Sequence, residues 1–257
     1  MSAVLEYWLL YHPFRRIGPR KAVIQDIETF KLSAHLQGGI IKSEAEEAPV
    51  LVYCSGREGL AADRMDLFTE LKRDFEVVFF DYSGFHRPEK GTASVLTTRK
   101  SMQKDLETVL KLVQERFEGR PVVFYGEGIG GAVAIHALKL MLPEVEMIIF
   151  DKVFSEGRIH FRNAAFPFIG YARLLFALRG RAKRWDPLAQ LDEIINEGKL
   201  LELPAALFIY PEKKQNLFDG LYHLWRGKKT LIREFSMQAL TEAFLSRHEK
   251  EQVNIYP

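Results

Sequence analysis

A glycine-rich turn, Gly126 to Gly131 (GEGIGG), is the stretch whose residue types and spacing could support chemistry. It follows the apolar run Val122 to Tyr125 and leads directly into the helical pattern Ala132 to Leu138, which predicts a strand, a tight turn and a helix. Two kinds of site use such a turn. A nucleophile elbow, G-x-S-x-G, holds a serine at its apex, and a dinucleotide loop, G-x-G-x-x-G, receives a pyrophosphate on its amides. In the first interpretation the apex residue is Gly128, which has no side chain.

The second interpretation takes the same glycines as the fingerprint Gly126-x-Gly128-x-x-Gly131. Asp151, about 20 residues after Gly131, then stands where the ribose-binding acid belongs. The chain would bind a nicotinamide or adenosyl cofactor. Against this, two predicted strands precede the turn, although a dinucleotide-binding domain usually begins with it, and the Glu127 carboxylate would lie close to the pyrophosphate. We therefore treat the match as a coincidence and predict no cofactor and no metal.

Strands and helices alternate on both sides of this turn, which predicts a mainly parallel sheet with right-handed crossovers and helices on both faces. The predicted strands are Pro49 to Cys54, Phe75 to Phe80, Val122 to Tyr125, Glu146 to Phe150 and Leu203 to Tyr210, and the predicted helices include Ala61 to Lys72 and Ser101 to Phe117. Two short alternating segments, Ile27 to Leu32 and Ala34 to Ile41, predict an antiparallel opening.

Ligands of parallel sheets bind outside the carboxyl ends of the strands. The residues expected around this crevice are Ser55-Gly56-Arg57, Asp81-Tyr82, Glu127-Gly128-Ile129 and Asp151-Lys152.

The segment Phe154 to Leu200 breaks the alternation and is rich in Phe and Arg. We predict a helical cap insertion over the crevice, within a single domain that spans residues 1–257. Its excess of positive charge favours an acidic protein or an anionic lipid as a partner. After the strand at Leu203 the pattern predicts a helix at Leu217 to Trp225, a strand at Lys229 to Phe235 and a helix at Ser236 to Leu245.

The composition sets further limits. The net charge of +2 gives no argument for nucleic acid. The single cysteine, Cys54, excludes an internal disulfide and fits a reducing compartment, so we expect a cytoplasmic protein. No apolar run approaches the ~20 residues that a membrane-spanning helix needs, and we predict no transmembrane segment.

The order of these parts resembles the α/β-hydrolase family, in particular its Bem46-like serine-hydrolase branch, over most of the chain. VLVYCSGREGLAADR (Val50 to Arg64) is similar to the strand and oxyanion loop FHGNAGN…R of that branch. FFDYSGFHRPEKG (Phe79 to Gly91) resembles VDYRGYGxSxG, and YGEGIGGAVAIH (Tyr125 to His136) resembles the elbow GxSLGGAVAIH.

The resemblance implies an α/β-hydrolase fold with a degenerate catalytic triad. It places Gly128 at the nucleophile, within a degenerate elbow Glu127-Gly128-Ile129, and Ser55-Gly56-Arg57 at the oxyanion loop. Lys214 falls at the lost acid position and Leu240 near the histidine, while Asp151 is a candidate residual acid because some members carry the acid after that strand.

The predicted function is therefore a pseudohydrolase whose crevice binds a small molecule above Gly128 or a protein. The alternative is an esterase-like enzyme that uses displaced residues, with Ser55 or Ser83 as nucleophile. His136, inside the helix after the elbow, is expected to be a satisfied second-layer histidine, and His248 a solvated surface residue.

Overall fold

The computed structural model describes residues 27–56, 60–85, 95–140, 145–151, 153, 187–196, 204–211 and 251–256. Its elements in chain order are β1 (Ile27–Lys31), β2 (Gln37–Ile41), β3 (Val50–Cys54), a short 3-10 helix (Ala61–Arg64), α1 (Met65–Leu71), β4 (Glu76–Asp81), α2 (Arg99–Arg116), β5 (Val122–Glu127), α3 (Ile129–Leu138), β6 (Val145–Asp151), α4 (Pro187–Asn196), β7 (Ala205–Pro211) and β8 (Glu251–Tyr256).

The described strands form one sheet in the order β1-β2-β4-β3-β5-β6-β7-β8. Neighbouring strands from β4 to β7 run parallel, whereas β1 with β2, β2 with β4, and β7 with β8 are antiparallel. The strand β5 lies in the interior of the sheet, between β3 and β6. The elbow after β5 is therefore held on both sides by neighbouring strand ends.

Both faces of the sheet are covered, because the central strands carry apolar residues at consecutive positions. All five residues of β3 are buried, as expected for a parallel strand covered on both faces. Val52, Phe80 and Phe150 pack on one face with α2, α3 and α4. Tyr125 and other aromatic residues pack on the opposite face with α1.

The helices α2 and α3 are stabilised by an N-terminal cap and by buried apolar faces. Thr98 accepts a hydrogen bond from the Ser101 amide (3.1 Å) and so caps α2. One face of α2 carries Leu106, Val109 and Val113, which are buried. Almost every residue of α3 is buried, because this helix lies between the sheet and its helical neighbours α2 and α4. The helix that follows the elbow is thus a core helix.

The predicted parallel sheet, its antiparallel opening and the helices on both faces are confirmed. The helix predicted over Ala61 to Lys72 begins instead as a 3-10 helix, where the Ala61 amide donates to Asp81 Oδ1 at 2.7 Å. The strand β8 was not predicted, since its sequence, EQVNIY, has no continuous apolar run.

The predicted cap insertion is described only over α4. Two of its apolar residues, Leu191 and Ile194, are buried in the core with α3, so α4 is a layer helix and not a cover over the crevice. Residues 154–186 and the segments predicted between Leu217 and Leu245 lie outside the described residues, and the insertion stays a prediction there.

Candidate functional site

The apex of the turn between β5 and α3 is Gly128, with φ 53° and ψ −114°. Its amide donates to the Asp151 carbonyl oxygen (2.7 Å), and its carbonyl accepts from the Gly131 amide (3.2 Å). Among the described residues, a Cβ added at this position would meet no atom within 4 Å. A side chain here would therefore extend into space that these residues leave open, as a nucleophile must, but glycine supplies none.

The other glycines of the turn are required by close packing. A Cβ at Gly130 would lie 2.0 Å from the Cys54 carbonyl oxygen, and one at Gly131 would lie 2.3 Å from Val153 Cγ2. At Gly126 a Cβ would lie 2.4 Å from the Gly131 Cα. The turn thus packs directly on the ends of β3 and β6, which accounts for the glycine pattern without a pyrophosphate.

Glu127, the residue before the apex, is held by two partners, Arg64 and Tyr53. Its Oε2 accepts from Arg64 Nε at 2.8 Å, while Arg64 Nη2 contacts Oε1, so the ion pair is bidentate. The Tyr53 hydroxyl also donates to Oε2. Burial, together with the Glu127 charge, raises the pKa of Tyr53 well above its ordinary value. The hydrogen bond to Glu127 raises the pKa of Arg64, so this cation is permanent.

Asp151 ends β6 beside the elbow and is 5% exposed. Its Oδ2 accepts from the Tyr125 hydroxyl at 2.7 Å, and burial, followed by the charge of Asp151, raises the pKa of Tyr125. The Tyr125 ring lies 5.3 Å from the Tyr53 ring. A buried carboxylate bonded to a tyrosine is poorly placed to bind a ribose, so the cofactor interpretation loses its acid. The role of Asp151 as a residual acid stays a prediction.

Ser55 and Gly56, which follow β3, lie next to the elbow. Ser55 is 2% exposed, and its hydroxyl has no hydrogen-bond partner among the described residues. A Cβ at Gly56 would lie 3.2 Å from the Glu127 carbonyl oxygen and 3.3 Å from its Cγ. Arg57 lies outside the described residues. Burial raises the pKa of the preceding Cys54 thiol to about 12, which fits a core residue and not a reactive thiol.

Ser83, at the start of the loop after β4, is held by α2. Ser83 donates to Asp105 twice, from its amide to Oδ2 (2.8 Å) and from its hydroxyl to Oδ1 (2.9 Å). Thr97 Oγ1 donates to the Ser83 carbonyl oxygen at 2.8 Å. Burial raises the pKa of Asp105. Ser83, the second displaced candidate, is therefore engaged in holding the loop.

Of the histidines and lysines considered as site residues, His136 lies among the described residues. His136 Nε2 lies 3.0 Å from Glu107 Oε1 and joins α3 to α2, as expected for a satisfied second-layer histidine. Lys152, Lys214, Leu240 and His248 lie outside the described residues.

Neither a metal site nor a membrane-spanning helix emerges from the described part of the chain. No group of three or more metal-ligating side chains occurs there. None of its helices is long and apolar enough to cross a bilayer.

Arg64, Tyr53 and Asp105 were missed at the sequence level. Their partners lie 63, 74 and 22 residues away along the chain, and no local spacing indicates such a pairing. The one indication was that Arg64 matches the arginine that ends the pattern FHGNAGN…R.

Comparison with known proteins gives one family match. Residues 45–153 match the family model for serine aminopeptidase, S33. No curated protein matches the chain.

Several solved structures are similar. A soluble variant of monoglyceride lipase from Saccharomyces cerevisiae, in complex with a substrate analog, has 15% identity and a TM-score of 0.44, with 62% of this chain and 52% of that one covered. An alpha/beta hydrolase superfamily protein from Enterococcus faecalis has 16% identity and a TM-score of 0.42, with 53% and 50% covered. Carboxylesterase CesB (YbfK) from Bacillus subtilis has 20% identity and a TM-score of 0.36, with 58% and 50% covered. The match thus spans about half of each of these structures.

The strand order, the antiparallel β2 and the turn between β5 and α3 define an α/β-hydrolase fold. Residues 45–153 of the chain are similar to the family of serine aminopeptidase, S33. The Bem46-like branch stays a prediction.

Proposed function

We propose that this chain is a catalytically degenerate α/β hydrolase whose crevice binds a small molecule or a protein segment. The observation that carries the proposal is the elbow. Its backbone has φ 53° at Gly128, and no atom of the described residues lies within 4 Å of the missing Cβ. Acyl transfer by this fold needs a nucleophilic side chain at that point, with a base to accept its proton. Glycine offers no such group.

The two displaced serines support an enzyme less well. The Ser55 hydroxyl is buried, and the Ser83 hydroxyl donates its proton to the buried Asp105 carboxylate. A serine that reacts must instead be accessible and hydrogen-bonded to a base. If activity exists, we expect it on carboxylic esters.

A fluorophosphonate probe tests the proposal, because only an activated serine reacts covalently with it. We expect the native chain to remain unlabelled and to show no turnover of short or medium acyl esters. Ser55→Ala and Ser83→Ala are the matched variants. Labelling that one of them abolishes would establish a displaced nucleophile and refute the proposal.

We also propose where the chain binds its ligand and its partner. The crevice above Gly128 would hold the small-molecule ligand, and the Arg- and Phe-rich segment at 154–200 would meet an acidic protein or an anionic lipid surface. We propose a cytoplasmic location, because the one cysteine of the sequence is a buried free thiol.

A further inference from the structure

The ion pair between Arg64 and Glu127 controls the charge next to the apex of the elbow. Glu127 directly precedes the apex, with about 3.8 Å between the two Cα atoms. Its side chain is 16% exposed and that of Arg64 33% exposed. A charge in such a half-buried place is screened much less than one in open water. Glu127 alone would therefore place a negative potential at the crevice floor.

The geometry shows how completely this charge is compensated. Arg64 makes two contacts with the carboxylate, and Tyr53 supplies a third. Gly56, which follows β3, packs against the pair, since a Cβ there would lie 3.3 Å from Glu127 Cγ. The pair is thus part of the wall between the loop and the elbow.

We propose that Arg64 and Glu127 set the charge specificity of the crevice floor. Paired, they leave it neutral, which suits an uncharged ligand group such as an ester, an amide or an acyl chain. This inference rests on the proposal that the crevice binds a ligand. It assigns to Arg64 a positioning and compensating role, since Arg64 acts through Glu127.

A reporter thiol at the apex tests the charge directly. In Gly128→Cys, the Cβ that carries the thiol would meet no atom of the described residues within 4 Å. Its rates with a cationic trimethylammonium-ethyl methanethiosulfonate and an anionic sulfonatoethyl methanethiosulfonate are measured separately. The chain without Gly128→Cys is the background control, because Cys54 is buried and its thiol pKa is raised to about 12. With the pair intact, the ratio of cationic to anionic rates should match that of a small free thiol.

Removing one partner at a time should move that ratio in opposite directions. Arg64→Met leaves the Glu127 carboxylate uncompensated and should raise the ratio about threefold to tenfold, and Glu127→Gln should lower it by a similar factor. The double variant should return it close to the starting value. The Asp151 carboxylate is common to all four proteins and cancels in the comparison.

A purely structural role gives a different result. Loosening of the loop would change both rates alike and leave their ratio unmoved in every variant, which would overturn the inference. So would a ratio about tenfold above that of the free thiol while the pair is intact, because the apex would then carry the Glu127 charge. Should Arg64→Met fail to fold, Glu127→Gln and the double variant still decide the outcome. Covalent labelling of the native chain by fluorophosphonate would instead refute the proposed function and leave the ratio test untouched.

Discussion

A serine at position 128 would restore the side chain that the elbow geometry accommodates. We expect Gly128→Ser to remain inactive on acyl esters, because a serine hydroxyl without a base is a weak nucleophile at neutral pH. We also expect a loss of about 1–3 kcal/mol in the free energy of unfolding, since a residue with a Cβ is strained at a φ of 53°. Ester turnover and melting temperature, compared with the native chain, are the measurements.

Gly119→Ser is the matched control. Gly119 has a φ of 75°, and a Cβ there would also meet no atom of the described residues within 4 Å. It lies in the turn before β5, at the opposite end of that strand from the elbow. The two variants should lose similar stability. A rise in turnover of about a hundredfold in Gly128→Ser, which is what one general base contributes, would mean that a base already stands beside the apex.

At the scale of elements, Asp105 couples the loop after β4 to α2, and its buried carboxyl makes this coupling depend on pH. Its pKa is higher in the folded chain than in the unfolded chain, so the folded protein binds the proton more tightly. Its contribution to stability is therefore greatest below the unfolded value of about 3.9 and is lost as the pH rises through the folded value. The stability of the native chain relative to Asp105→Asn should fall as the pH rises through this window.

Urea unfolding of both proteins at several pH values measures that difference. Ser83→Ala keeps the carboxyl but removes a hydrogen bond that lowers its pKa, so its own pH dependence should be larger than that of the native chain. A difference between native and Asp105→Asn that stays constant with pH would contradict the assignment.

At the scale of the whole molecule, the burial of Asp151 beside the glycine turn argues against a dinucleotide site. The glycine turn lies after β5, between β3 and β6, and Asp151 is buried against Tyr125. We expect no increase in melting temperature above about 1 °C with NAD, NADP or S-adenosylmethionine at about 1 mM. A ligand present at a hundred times its Kd would add about 2.7 kcal/mol of stability. A clear, saturable shift with one of them would reinstate the cofactor interpretation.

The sequence was sufficient for the sheet and for the apex, but not for the contacts around it. Continuous apolar runs such as that of β3 and the strand-turn-helix pattern at Gly128 are local signals, and both predictions are confirmed. The partners of Glu127 and Ser83 are brought close only by the folded sheet. The edge strand β8 has no apolar run to mark it.

The hydrogen bond from the Gly128 amide to the Asp151 carbonyl has a consequence for the order of folding. The backbone of Gly128, with φ 53°, is not stabilised by local contacts alone. The groups that stabilise the turn lie on β6 and at Arg64, which precedes Glu127 by 63 residues. The elbow should therefore form only after β5 and β6 have paired, late among the folding events, because contacts distant in sequence carry a large loop-closure cost. In pulsed hydrogen exchange during refolding, the Gly128 amide should gain protection after the amides within α2. Protection of Gly128 before the β5–β6 amides would show that the turn forms on its own.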